Sequence, residues 1–136
     1  MTSQHTRTTI RTIAIAALAP VVAASITLVG SPANAAWTSG ASVHGGRTQV
    51  CKVRVTGGYR IKVRLDNRRA THTHIGGLYR SRNGNTAQVR VKAARGRVSA
   101  TKALLWRPGY QLSVGIGELD GRGLGGGIYP SSIARC

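Results

Sequence analysis

Histidine side chains can bind metal ions or transfer protons near neutral pH, and three candidates in this sequence are His44, His72 and His74. His72 and His74 are two residues apart, a spacing that places both side chains on one face of a β-strand. With His44 as a third ligand they could hold Zn²⁺ or Cu²⁺. No cysteine-rich or acidic companion lies near them in the sequence, and the positive charge of the chain opposes a bound cation. We therefore expect two exposed histidines on an edge strand and no metal site.

Glu118 is the residue through which the chain could carry out general acid–base catalysis. Together with one histidine and an arginine it could cleave RNA, as small exported ribonucleases of this size do. A single glutamate within a strand is ordinarily a surface carboxylate, however. A G-x-S-x-G turn is also lacking, because Gln111 stands where the first glycine before Ser113 would be. We expect no catalytic residues, with a small ribonuclease-like enzyme as the alternative.

Cys51 and Cys136 are the two cysteines of the sequence. In an exported protein such a pair predicts one disulfide. It would close a loop with a sequence separation of 85, for which chain entropy predicts about 4.5 kcal/mol of stabilisation. A redox or metal-binding pair is disfavoured, because the C-x-x-C spacing is absent.

Gly121, Gly123 and Gly126 formally match the dinucleotide-binding pattern G-x-G-x-x-G. That site requires a helix after the glycines and an acidic residue about 20 positions further on. Too few residues follow Gly126 for either, so the match is accidental and no cofactor is expected. The glycine-rich segment 115–127 is interpreted as a mobile loop or as backbone packed closely beside the disulfide.

Residues 1–35 have the three-part layout of a secretory signal peptide. Two arginines and no acid lie in the first twelve residues, residues 13–29 are almost wholly apolar, and residues 33–35 read Ala-Asn-Ala. The apolar run is shorter than the roughly 20 residues of a membrane-spanning helix. We expect cleavage after Ala35 and a secreted, extracellular protein.

Apolar and charged residues alternate along 51–55, 59–65 and 87–93. This period of two is typical of half-buried antiparallel strands, and turns such as Gly57-Gly58 and Asn83-Gly84 separate them. Seven strands are predicted, near 50–55, 59–65, 70–79, 86–93, 97–105, 110–118 and 127–134.

The predicted fold class is all-β, a small antiparallel β-sandwich or barrel of about seven strands. The expected organisation is a signal peptide at 1–35, a flexible lead-in at 36–46 and a single all-β domain at 47–136. Tyr59 and Trp106 are expected to pack in the core, because Tyr59 shares its parity with Ile61 and Trp106 follows an apolar run.

The charge balance is strongly positive, with 20 Lys and Arg against 3 Asp and Glu and a formal net charge of +17. If the three alternating strands lie in one sheet with their apolar faces inward, seven cations share one surface. Like charges so close together repel unless an anion neutralises them. The candidate polyanion-binding residues are Lys52, Arg54, Arg60, Lys62, Arg64, Arg90 and Lys92.

These observations predict a non-catalytic protein that binds a polyanion through a cationic sheet face. Charge alone does not distinguish a nucleic acid from an acidic cell-wall polymer or an anionic membrane surface. The competing interpretation is a solvated face that keeps the protein soluble. A further alternative is a protein-interaction or inhibitor module that presents the loop Trp106–Tyr110.

Overall fold

The computed structural model describes residues 36–136, which fold into eight β-strands and one short 3₁₀-helix, Pro130–Ser132. The all-β expectation is confirmed, with eight strands in place of seven, and the predicted signal peptide lies outside the described residues. The strands are β1 (Thr38–Val43), β2 (Gly46–Val55), β3 (Gly58–Asp66), β4 (His74–Arg82), β5 (Asn85–Ala93), β6 (Lys102–Trp106), β7 (Gln111–Glu118) and β8 (Gly123–Gly127).

The strands form two antiparallel sheets of four strands each. The first sheet has the order β1-β2-β3-β6, and the second has the order β5-β4-β7-β8. Buried aliphatic side chains from both sheets form one core. Its members include Val50, Ile61, Val63, Leu65, Leu78, Val91, Leu104, Leu112, Val114 and Ile116.

Two tight turns fit the predicted hairpins. Asn83 and Gly84 both have positive φ angles, 46° and 78°, which is the backbone of the turn that suits the twist of two joined strands. Gly57, with φ of 76°, lies in the turn between β2 and β3, whereas Gly58, also expected in this turn, is the first residue of β3. These residues therefore fix the registers of the two longest hairpins.

The structure corrects the flexible lead-in expected over residues 36–46, because β1 lies within it and pairs with β2. Gly40 explains how β1 also packs over β7. A Cβ atom at this position would lie 2.8 Å from Cγ2 of Val114, so a side chain would push the strand away from the core.

The carboxyl-terminal part also differs from the expectation. The glycine-rich segment read as a mobile loop contains the end of β7 and all of β8, whereas the strand predicted near 127–134 is absent. Pro130 provides the reason, since proline has no N–H to donate to a sheet ladder. The last residues instead pair with β2: the Lys52 N–H donates to the carbonyl of Ala134, and the Cys136 N–H donates to that of Lys52.

The predicted disulfide between Cys51 and Cys136 is confirmed. It attaches the end of the chain to the middle of β2. Within residues 36–136 there is no helix with the length and hydropathy needed to cross a membrane. The disulfide is compatible with an extracellular location.

The strand directions place the connections at two opposite ends of the molecule. The acidic end comprises residues 43–46, 66–74, 94–98 and 118–122, and the aromatic end comprises residues 52–59, 80–85, 106–110 and 129–130. The names reflect their composition. Asp66, Glu118 and Asp120, which are all the acids of the sequence, lie at the acidic end, and four of the six aromatic residues that follow residue 35 lie at the aromatic end.

Candidate polyanion interface

The strand registers divide the seven predicted cations among three places. Arg60, Lys62 and Arg64 lie together on the outer face of the first sheet, opposite their buried neighbours on β3. Arg90 and Lys92 are exposed on the outer face of the second sheet. The single sheet face that the alternation suggested therefore does not form.

Lys52 and Arg54 lie on the opposite side of the first sheet from the three β3 cations. Lys52 pairs with the buried Ile61, and Arg54 pairs with Tyr59, so both point toward the side that carries the core. They reach solvent because β2 ends there, at the aromatic end. The sequence pattern assigned them to the wrong face.

Aromatic rings contact one another at the aromatic end. The rings of Tyr59 and Trp106 are stacked, with centroids 6.0 Å apart, and both pack against the core as expected. The indole N–H of Trp106 donates to the carbonyl of Tyr110 at 2.8 Å. These contacts hold the turn between β6 and β7 against the β2–β3 hairpin.

Cations cover the rings of this end. The guanidinium carbon of Arg80 lies 4.9 Å from the centroid of the Tyr110 ring, and that of Arg82 lies 5.9 Å from it. Lys52 Nζ lies 5.2 Å from the centroid of the Tyr59 ring and donates to the carbonyl of Pro130. Such cation–π contacts fix the cations in place without neutralising them.

A cleft of about 540 Å³ opens beside these rings. Trp106 and Tyr110 line one part of it, and Tyr129 and Pro130 line another. The side chain of Tyr129 is 79% exposed, so most of its surface is free for contact with a ligand.

Three exposed arginines surround the same end. Arg54 follows the disulfide on β2, Arg82 closes β4, and Arg107 lies in the turn after β6. The turn after β6 lies against the β2–β3 hairpin, because a Cβ atom built on Gly58 would lie 3.1 Å from the Cα of Arg107. Since every acid lies at the other end, the aromatic end carries an uncompensated positive charge.

At the acidic end, Asp66 binds two of the arginines. A carboxylate oxygen of Asp66 accepts from Arg47 at 3.0 Å and from Arg68 at 2.9 Å. These hydrogen bonds, that of Arg68 above all, hold the pKa of Asp66 well below its ordinary value against the opposing effect of burial.

At acidic pH, the free energy of unfolding should therefore depend on the ionisation of Asp66. Because its pKa is lower in the folded than in the unfolded state, Asp66 stabilises the protein above the unfolded value of about 4, and this contribution is lost as the pH falls below it. Asp66→Asn should remove roughly 2 kcal/mol at neutral pH and flatten the pH dependence of urea unfolding below about pH 4. Asp120→Asn, at an exposed turn residue, is the control and should leave that dependence intact.

The histidines differ from the expectation of two exposed residues on an edge strand. His74 is fully buried on β4, which lies between β5 and β7, whereas His72 precedes the strand and is exposed. His44 Nδ1 lies 2.6 Å from Glu118 Oε1, and His74 Nε2 lies 3.7 Å from the same oxygen. The hydrogen bond from His44 lowers the pKa of Glu118.

The pair formed by Glu118 and His44 is the contact that the ribonuclease-like alternative requires. Two arginines of this end, Arg47 and Arg68, are bound to Asp66, whereas the exposed Arg69 lines the same cleft as His44. Among residues 36–136, no group of three or more His, Cys, Asp or Glu side chains is arranged to hold a metal ion.

A concavity of about 620 Å³ lies over the outer face of the second sheet. Glycines such as Gly77, Gly115 and Gly125 form its floor, so backbone rather than side chains faces the solvent. Its charged lining residues, Arg90 and Glu118, have opposite signs. This surface therefore lacks the uniform charge that a polyanion requires.

The aromatic end combines stacked rings, an open cleft and exposed arginines, and it is the candidate interface. The sequence alone identified Lys52 and Arg54 but missed Arg82 and Arg107, because neither lies in an alternating strand. Comparison with protein-family models, with curated proteins and with solved structures finds no match for this chain.

Proposed function

We propose that this chain is a secreted, non-catalytic protein that binds a polyanion through its aromatic end. The observation that carries the proposal is the exposure of Arg54, Arg82 and Arg107 at the end of the molecule opposite all three acids. Arginine suits this role because its planar guanidinium forms paired hydrogen bonds with phosphate or carboxylate groups. The apparent signal peptide and the disulfide support an extracellular partner.

The outer face of the first sheet is the weaker candidate. Arg64 donates from Nε to Gln49 Oε1 at 2.8 Å, and its guanidinium carbon lies 4.2 Å from the centroid of the Trp37 ring. Arg64 and Lys62 are half-buried, whereas the three arginines of the aromatic end named above are exposed. Arg60 and Lys62 remain on this face, which also carries Val53 with 38% of its surface exposed.

A salt titration with three matched triple variants tests the proposal. Duplex DNA serves as the probe, because each phosphate contact contributes a slope of about −0.9 to the plot of log affinity against log salt. Arg54→Gln, Arg82→Gln and Arg107→Gln together should flatten that slope by roughly two to three units. All three side chains are exposed, so the melting temperature should change little.

Two controls each remove the same charge elsewhere. The first carries Arg90→Gln, Lys92→Gln and Arg95→Gln, and the second carries Arg60→Gln, Lys62→Gln and Arg64→Gln. The first control should weaken binding only because it lowers the overall positive charge of the protein, and it should change the slope little. An equal loss of slope in all three variants, or the largest loss in the second control, would contradict an interface at the aromatic end.

A further inference from the structure

We infer that the polyanion is a single-stranded nucleic acid, whose bases stack in the cleft of the aromatic end while its phosphates contact the surrounding arginines. This inference rests on the proposed function and adds the class of ligand. It starts from the observation that the aromatic end, where the rings are concentrated, also carries exposed arginines.

Charge by itself would not require the aromatic residues to be open to solvent. A surface that recognises only phosphates needs cations and hydrogen-bond donors, as in proteins that contact duplex backbones. Here the exposed Tyr129 lines the same cleft as Trp106 and Tyr110. Rings beside cations are the arrangement by which proteins bind single strands, because every base has a face that can stack.

The contacts within the protein leave part of this aromatic surface available. Tyr59 stacks on Trp106, and the guanidinium groups of Arg80 and Arg82 cover Tyr110. Among residues 36–136, neither a ring nor a guanidinium group covers Tyr129 in this way, and 79% of its surface is exposed. Tyr129 is therefore the ring on which we expect a base to stack, in a cleft that Trp106 also lines.

Other polyanions use this site less well. In a duplex the bases are paired and stacked on one another, so the rings of the protein have no base to contact. An acidic wall polymer or an anionic membrane offers charge without planar bases. A single strand satisfies both features of the site, since its flexible backbone lets phosphates reach Arg54 and Arg107 while a base enters the cleft.

The test compares three probes at one salt concentration by fluorescence anisotropy. They are a thymidine strand of about 12 nucleotides, an abasic strand with the same number of phosphates, and a duplex of the same length. The base-bearing strand should bind about ten-fold more tightly than the abasic strand. Tyr129→Ala should remove most of that difference and leave abasic binding unchanged, because it deletes a ring and no charge.

Tyr79→Ala is the matched control, since Tyr79 is an exposed tyrosine on the outer face of the second sheet. It should alter binding of none of the probes. Equal affinity for base-bearing and abasic strands, both weakened by the triple arginine variant, would overturn the inference and leave the proposed function standing. Absence of binding to every probe at low salt would instead remove the proposed function itself.

Discussion

Cys51→Ser should lower the free energy of unfolding by about 4 kcal/mol, because the disulfide closes a loop with a sequence separation of 85. The bond restricts the unfolded chain far more than the folded one, in which the two cysteines are already held together. Since each kcal/mol corresponds to several degrees in a domain of about 100 residues, the melting temperature should fall by on the order of 20 °C. Thermal unfolding followed by circular dichroism measures this change.

Cys136→Ser separates the covalent bond from packing. Cys51 is fully buried, whereas Cys136 is exposed, so the two substitutions remove different contacts but the same bond. Both variants, and the wild type after reduction, should lose similar stability. A large loss in Cys51→Ser alone would show that packing of Cys51 dominates, and two free thiols in the native protein would refute the bond.

Asn67→Asp should destabilise the protein by roughly 3–5 kcal/mol at neutral pH. Asn67 is fully buried, and its Nδ2 donates to the carbonyls of His72, Ala93 and Ala94 at 2.8, 3.0 and 3.1 Å. The substitution would place a carboxylate oxygen against these three carbonyl oxygens and bury its charge. Urea unfolding of the variant beside the wild type measures the loss.

The pH dependence of this variant provides a second measure. The buried carboxyl group should have a raised pKa, so the difference in stability from wild type should shrink as the pH falls and the group binds a proton. Asn85→Asp introduces the same charge at an exposed residue at the start of β5 and should change stability by less than about 0.5 kcal/mol. Equal effects of the two substitutions would contradict a structural role for Asn67.

The strands themselves could be predicted from the sequence, because their alternation follows directly from burial on one face. On β3, Ile61 and Val63 are fully buried, while Lys62 between them is not. On β2 the same reasoning fails. Val50 and Cys51 are both buried, since the disulfide and the chain end cover the outer face of β2 there. The local alternation therefore does not reveal which set of residues faces the core.

The candidate site depends on contacts between residues distant in sequence. Tyr59 and Trp106 meet because β3 and β6 are neighbours, and Arg80 reaches Tyr110 because β4 pairs with β7. The composition predicts a negatively charged partner, but it contains no information about strand order. The position of Arg54, Arg82 and Arg107 at the end opposite the acids follows from that order, and so does the burial of His74.

The disulfide also determines how the folded chain would respond to mechanical tension. The covalent ring includes β3 to β8, whereas β1 and the first part of β2 lie outside it. A force applied between Ala36 and Cys136 would pass through residues 36–51 and then directly through the two sulfur atoms. At about 3.5 Å per extended residue, this segment could extend to a total length of only about 50 Å before the bond carried the load. The aromatic end lies wholly within this ring, so β3 to β8 would stay paired under a pull that strips β1 away.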